Sequence, residues 1–224
     1  MASDRTPIAC LGAGRMGRGI AVQFAYAGHD VVLLDAKPRD PAAFARLEAE
    51  ALAEIGAALR TLAELGLFDP AHAEPILARV RVAPDEEAPE VLSRAGLVFE
   101  GVPEILALKR DILARASALM VGDAILASTT STILVDDLSP SVADPARFLN
   151  AHWLNPAYII PLVEVSPGRD TAPGTIARLH AILESVGKVP VTCAATPGFI
   201  VPRLQTLAMN EAARMVEEGV ASAE

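Results

Sequence analysis

Short, nearly unbroken apolar runs recur along the chain, and longer segments with apolar residues at helical spacing separate them. The runs at Pro7–Leu11, Asp30–Asp35, Val80–Ala83, Gly96–Glu100, Ala124–Ser128, within Arg147–Pro156, at Leu162–Val165 and at Val189–Cys193 predict strands. Helical spacing follows the first run at Ile20–Ala25 and returns over Pro41–Leu65, Glu104–Leu119, Pro173–Gly187 and about Pro202–Glu218. Pro103 suits the opening of the helix at Glu104. Phe68-Asp69-Pro70 breaks the second helical segment before a shorter piece that ends at Arg79, so 41–79 reads as a helical hairpin inserted between strands two and three. The alternation predicts an α/β fold with a doubly wound, mostly parallel sheet.

The turn after the first strand carries the first chemistry. Gly12, Gly14 and Gly17 fit G-x-G-x-x-G directly between a strand and a helix. Gly12 permits a tight turn, Gly14 lets a pyrophosphate reach bare backbone, and Gly17 lets the helix pack on the strand it has left. The first helical turn, with Arg15 and Met16 in it, offers free N–H groups and the positive end of the helix dipole. Asp35 ends the second strand about 20 residues on, where a carboxylate binds the adenosine ribose. This is a Rossmann-like arrangement, and NAD is the expected cofactor. Lys37 and Arg39 follow closely and leave NADP as the lesser alternative. A purely structural glycine turn is the bland alternative.

The chain has 224 residues, 52% hydrophobic, with a net charge of −9. That length accommodates one large α/β domain with part of a second. The negative charge argues against general affinity for nucleic acid or anionic membrane. No apolar run approaches the roughly 20 residues of a bilayer span, and Met1–Thr6 holds no apolar signal core, so a cytoplasmic location is expected. Cys10 and Cys193 have no metal spacing and read as buried free thiols; no metal is expected.

Two further clusters stand out. Thr129-Thr130-Ser131-Thr132 follows the fifth strand, at the edge where doubly wound sheets bind ligands. Ser131 or Thr132 could equally be a helix N-cap. His152 lies just beyond a strand, with Asn155 and then Glu164 in an otherwise apolar run. A buried carboxylate needs a partner, and His152 is the candidate for Glu164. The pair reads as an oriented general base, with the glutamate fixing the tautomer of the imidazole. A structural His–Glu hydrogen bond is the alternative.

Taken in order, the glycine loop, Val98-Phe-Glu-Gly-Val-Pro-Glu104 with Lys109, Ala127-Ser-Thr-Thr-Ser131, His152-Trp-Leu-Asn155-Pro156, Leu162-Val-Glu164-Val and Thr196-Pro-Gly-Phe-Ile-Val-Pro-Arg203-Leu resemble the L-3-hydroxyacyl-CoA dehydrogenase family over nearly the whole chain. The resemblance implies His152 as catalytic base, Glu164 as its paired carboxylate, and Ser131 near the substrate oxygen and the nicotinamide. It implies Glu104, Lys109 and Asn155 as cofactor contacts, and reversible NAD-dependent oxidation of the 3-hydroxyl of an L-3-hydroxyacyl-CoA. It also implies a Rossmann-like domain over 1–195 and, from 196 to 224, the beginning of a helical C-terminal domain that builds a homodimer, with the chain ending inside its first helix. The apolar face of the 202–218 helix would then need a partner.

Three features depart from the family pattern. Pro202 stands where an asparagine often faces the substrate. The hairpin offers Arg46, Arg60 and Arg79 but no lysine for CoA phosphates. Asn155–Glu164 looks more like the non-CoA members, such as L-gulonate 3-dehydrogenase (lambda-crystallin) and carnitine dehydrogenase. The alternatives are therefore a dehydrogenase of a non-CoA 3-hydroxy acid, or an NAD-binding chain without turnover.

Overall fold

The computed structural model describes residues 6–223. The Met1–Thr6 stretch read for a signal core therefore lies, except for Thr6, outside the described residues. Strands β1 (Ile8–Leu11), β2 (Val31–Leu34), β3 (Val80–Ala83), β4 (Leu97–Glu100), β5 (Ile125–Ser128), β6 (Phe148–Trp153), β7 (Leu162–Pro167) and β8 (Val189–Thr192) form one sheet. Its order is β3-β2-β1-β4-β5-β6-β7-β8, parallel throughout except for the antiparallel pair β6–β7.

Helices cover both faces, so the central strands are apolar on both sides. In β1, Ile8 and Cys10 join a cluster with α1 (Arg15–Tyr26) and α2 (Pro41–Glu64), while Ala9 and Leu11 join one with α4 (Ala88–Arg94) and α5 (Leu106–Leu119). The hairpin of α2 and α3 (Ala73–Leu77) is more than a surface layer: Ala51, Ile55 and Leu59 are wholly buried against α1. Asp40 caps α2 by accepting from the Ala43 N–H at 2.8 Å, and Pro41 takes the first helical position. The remaining helices are α6 (Val135–Leu138), α7 (Pro173–Ser185) and α8 (Val201–Glu217).

Several boundaries differ from the sequence expectation. Helix α4 is not among the expected elements: it is short and its large apolar positions, Val91 and Leu92, are few, yet both seat in the core beneath β2 and β4. Helix α5 opens at Leu106 instead of Glu104, because the Glu104 side chain is engaged elsewhere and Ile105 is extended. His152 lies inside β6, not beyond it. Cys10 is buried, which pushes its thiol up to about 12; Cys193 is a half-buried free thiol. Among the described residues no helix is long and apolar enough to cross a membrane, and no group of His, Cys, Asp or Glu could hold a metal ion.

The strand order reverses between β1 and β4. Ligands in such sheets bind at that switch point, beyond the carboxyl ends of the strands.

Candidate functional site

The glycine loop sits at the switch point, and each glycine has a spatial reason. Gly12 has φ +102°, a left-handed conformation that side chains rarely adopt. A Cβ on Gly17 would lie 2.3 Å from the Gly12 carbonyl oxygen. A Cβ on Gly14 would meet nothing within 4 Å, so its backbone faces open space. No side chain caps α1, which leaves its first N–H groups available to an anion. A cavity of about 440 Å³ opens here, lined by Gly12, Gly14, Arg15, Met16, Asp35, Lys37, Arg39, Gly101 and Pro103. Bare backbone, an uncapped helix start and a strand-end carboxylate in one cleft fit a dinucleotide.

Two connected polar networks frame the far side of that cleft. Glu100, at the end of β4, is fully buried; its Oε1 accepts from the Val102 N–H at 2.7 Å and its Oε2 from the Ser128 hydroxyl at 2.5 Å. The Lys109 ammonium donates to both Glu100 oxygens, at 2.8 and 3.1 Å, and to the Val102 carbonyl at 3.1 Å. Lys109 is only 1% exposed, so it lies behind the cavity wall instead of presenting its charge to the cleft. It stands 3.4 Å from Glu104 Oε2.

Glu104 Oε1 in turn accepts from the Thr130 hydroxyl, from the Ser131 and Thr132 N–H groups, both at 3.1 Å, and from the Thr132 hydroxyl at 2.9 Å. Burial raises this carboxyl, but those hydrogen bonds and the nearby Lys109 charge outweigh it and hold the group below the usual glutamate range. Neither Ser131 nor Thr132 caps a helix, since α6 begins at Val135 after an uncapped Leu134. The hydroxyl run is a turn pinned by Glu104. Glu100 and Ser128 fall within the Val98–Glu104 and Ala127–Ser131 motifs, but the sequence attaches no role to either, because each looks like the ordinary end of a strand.

The turn holds Ser131 against His152. His152 Nε2 is 3.1 Å from the Ser131 hydroxyl, and Nδ1 is 2.7 Å from Glu164 Oε2. His152 and Glu164 are directly opposed in the antiparallel β6–β7 register, which brings facing side chains together. His152 is 4% exposed and Glu164 fully buried. The second oxygen of Glu164 accepts from the Ile200 and Val201 N–H groups, each at 2.8 Å, at the start of α8. The carboxylate is thus held by three donors and by the positive end of a helix. Phe199 packs beside the imidazole with ring centroids 5.5 Å apart, at φ +43°, unusual for a non-glycine residue. Pro202 has no N–H to offer, and Ile200 and Val201 supply the amides of this helix start.

Asn155 lies on the loop after β6. It lines a second cavity of about 480 Å³ between α1 and α2, together with Arg15, Arg18, Glu54, Thr61 and Tyr158. Arg18 is ion-paired to Glu54, and α2 as a whole carries Glu48, Glu50, Glu54 and Glu64 against Arg46 and Arg60. The loop is fastened from below: the Lys188 ammonium donates to the Ala157 carbonyl at 2.6 Å and the Ile160 carbonyl at 3.0 Å. Burial pulls the Lys188 amine down to about 8. Lys188 carries no motif signal, and Phe199 stands within Thr196-Pro-Gly-Phe with nothing there to mark it as a neighbour of His152.

Residues 7–196 match the family described as 3-hydroxyacyl-CoA dehydrogenase, NAD binding domain. The sequence is 37% identical over 223 residues to an L-carnitine dehydrogenase of Streptomyces griseus, covering 98% of this chain and 62% of that protein. It is 36% identical over 214 residues to the 5-formyl-3-hydroxy-2-methylpyridine 4-carboxylate 5-dehydrogenase of Mesorhizobium japonicum, covering 95% of this chain and 65% of that protein. The crystal structure of a (S)-3-hydroxybutyryl-CoA dehydrogenase from Ralstonia eutropha superposes with a TM-score of 0.86 at 30% identity, covering 98% of this chain and 74% of that one. The chain thus spans less than two thirds of the length of these two curated relatives.

Proposed function

The chain belongs to the 3-hydroxyacyl-CoA dehydrogenase family and carries its NAD-binding domain, and from that premise we propose that it reversibly oxidises the 3-hydroxyl of a 3-hydroxyacyl substrate to the ketone. The observation that carries the reading is the His152 imidazole, held by Glu164 at Nδ1 and facing the Ser131 hydroxyl with Nε2. When bound, NAD supplies the hydride acceptor; the glycine loop would hold its pyrophosphate and Asp35 its adenosine ribose.

The rest follows from the side chains. With a proton on Nδ1 donated to Glu164, Nε2 is free to take the substrate hydroxyl proton, and the adjacent carboxylate stabilises the imidazolium that forms. Ser131 donates to the substrate oxygen and orients it between the base and the cofactor face. Glu104 acts one step back, by fixing the turn that carries Ser131. In the reverse direction the imidazolium returns the proton to the ketone oxygen.

The family's thioester substrates make an acyl-CoA the first reading. A free 3-hydroxy acid is the second, favoured by the four glutamates and two arginines of α2, a poor surface for CoA phosphates. Oxidation of NADH by acetoacetyl-CoA, acetoacetate and other free 3-keto acids separates them. Turnover with the thioester alone supports the first reading, turnover with free acids alone supports the second, and turnover with none, NADH still binding, contradicts the catalytic proposal.

A further inference from the structure

The adenosine end of the cofactor cavity carries more positive charge than an NAD-only site needs. Asp35 is 4% exposed, and its Oδ2 accepts from Arg39 Nε in an ion pair. The Arg39 side chain is about one-third exposed (32%), and its terminal nitrogens make no hydrogen bond among the described residues. Lys37 is exposed and likewise has no ionic partner there. All three side chains line the same cavity as the glycine loop. The segment between them is short and fixed at both ends: the Asp35 N–H donates to the Ala83 carbonyl at 2.8 Å, and Asp40 caps α2.

In a site selective for NAD, an unpaired carboxylate repels the additional phosphate of NADP. Here Arg39 already compensates that carboxylate. With Lys37, the local sum of Asp35, Lys37 and Arg39 is +1, facing a phosphate monoester of about −1.5 to −2. A guanidinium can hold a carboxylate through Nε and a phosphate through its terminal nitrogens at once, so Arg39 need not leave Asp35 to engage the phosphate.

We propose that this cavity accepts NADP(H) as well as NAD(H), with Arg39 as the principal ligand of the adenosine 2′-phosphate and Lys37 as the second. The proposal rests on the reading of the cavity as the dinucleotide site. Arg39 also separates the two cofactors differently from Asp35: the carboxylate acts on the ribose hydroxyl through its free Oδ1, the guanidinium only on the phosphate.

Nicotinamide fluorescence of NADH and NADPH, titrated with the full chain at low salt, tests this without turnover. The expected NADPH Kd lies within about tenfold of the NADH Kd, and both R39A and K37A raise the NADPH-to-NADH ratio, R39A by about tenfold or more. Added salt weakens NADPH binding more than NADH binding. A wild-type ratio beyond about tenfold, or a ratio that neither variant changes, overturns the proposal. Failure of the wild type to bind NADH overturns the underlying dinucleotide reading instead. K37A removes a charge that supports no other contact, so it remains informative if R39A folds poorly.

Discussion

Glu164→Gln changes one atom of the side chain and tests the whole arrangement around His152. The Ile200 and Val201 N–H groups require an oxygen at the Oε1 position. The new NH₂ is therefore directed at His152 Nδ1, 2.7 Å away from the atom it replaces. A donor there needs an unprotonated Nδ1, which moves the ring proton to Nε2, the atom that must be free to act as base. Replacing the charge-assisted contact costs about 1.5–3 kcal/mol of stability. The wrong tautomer lowers kcat by on the order of 10²–10⁴, about 3–5 kcal/mol of barrier. NADH affinity stays within about threefold, because Glu164 touches no part of the glycine-loop cavity. Steady-state turnover, NADH titration and a urea melt measure the three quantities. A variant that keeps kcat within about tenfold of wild type would refute the tautomer argument.

Three other substitutions read separate parts of the account. Gly17→Ala places a methyl group 2.3 Å from the Gly12 carbonyl, so the loop must shift; NADH affinity should fall by more than about tenfold, and unchanged binding would show that the loop does not hold the cofactor. Lys188→Met leaves the Ala157 and Ile160 carbonyls without their donor, a cost of about 2–4 kcal/mol in a urea melt. The folded amine titrates near 8 and the unfolded one at 10.5; between them the unfolded chain binds the extra proton, so wild-type stability should rise relative to Lys188→Met as pH rises through that window. A constant difference would contradict the burial argument. The lowered Glu104 carboxyl stabilises the fold above its ordinary value of 4.5, and that contribution is lost as pH falls below it. Glu104→Gln should flatten the acid limb of the stability profile, and superimposable acid limbs would argue against the pinned turn.

The sheet and its cofactor loop were legible because strand periodicity, glycine spacing and Asp35 are local signals. The His152–Glu164 contact was legible through chemistry alone, since a carboxylate in an apolar run demands a partner; its register across β6 and β7 was not. Other features depend on neighbours distant in sequence. Lys109 is implied as a cofactor contact by the resemblance alone, and nothing near it in sequence announces that its amine is buried against Glu100 and Val102. Helix α4 lacks a strong pattern and exists because the sheet beneath it needs cover. Lys188 follows a helix-ending Gly187, and only the fold places its amine beneath the loop of Asn155. The positive φ of Phe199, and the pair of amides it delivers to Glu164, could not be foreseen from Thr196-Pro-Gly-Phe.

The most direct test of the proposed chemistry is His152→Ala, assayed for NADH-dependent reduction of whichever 3-keto substrate the wild-type chain accepts, with NADH affinity measured on the same preparation. Loss of turnover with NADH bound as tightly as by wild type is the predicted result. A variant that retains most of the wild-type rate would contradict the assignment of His152 as the base.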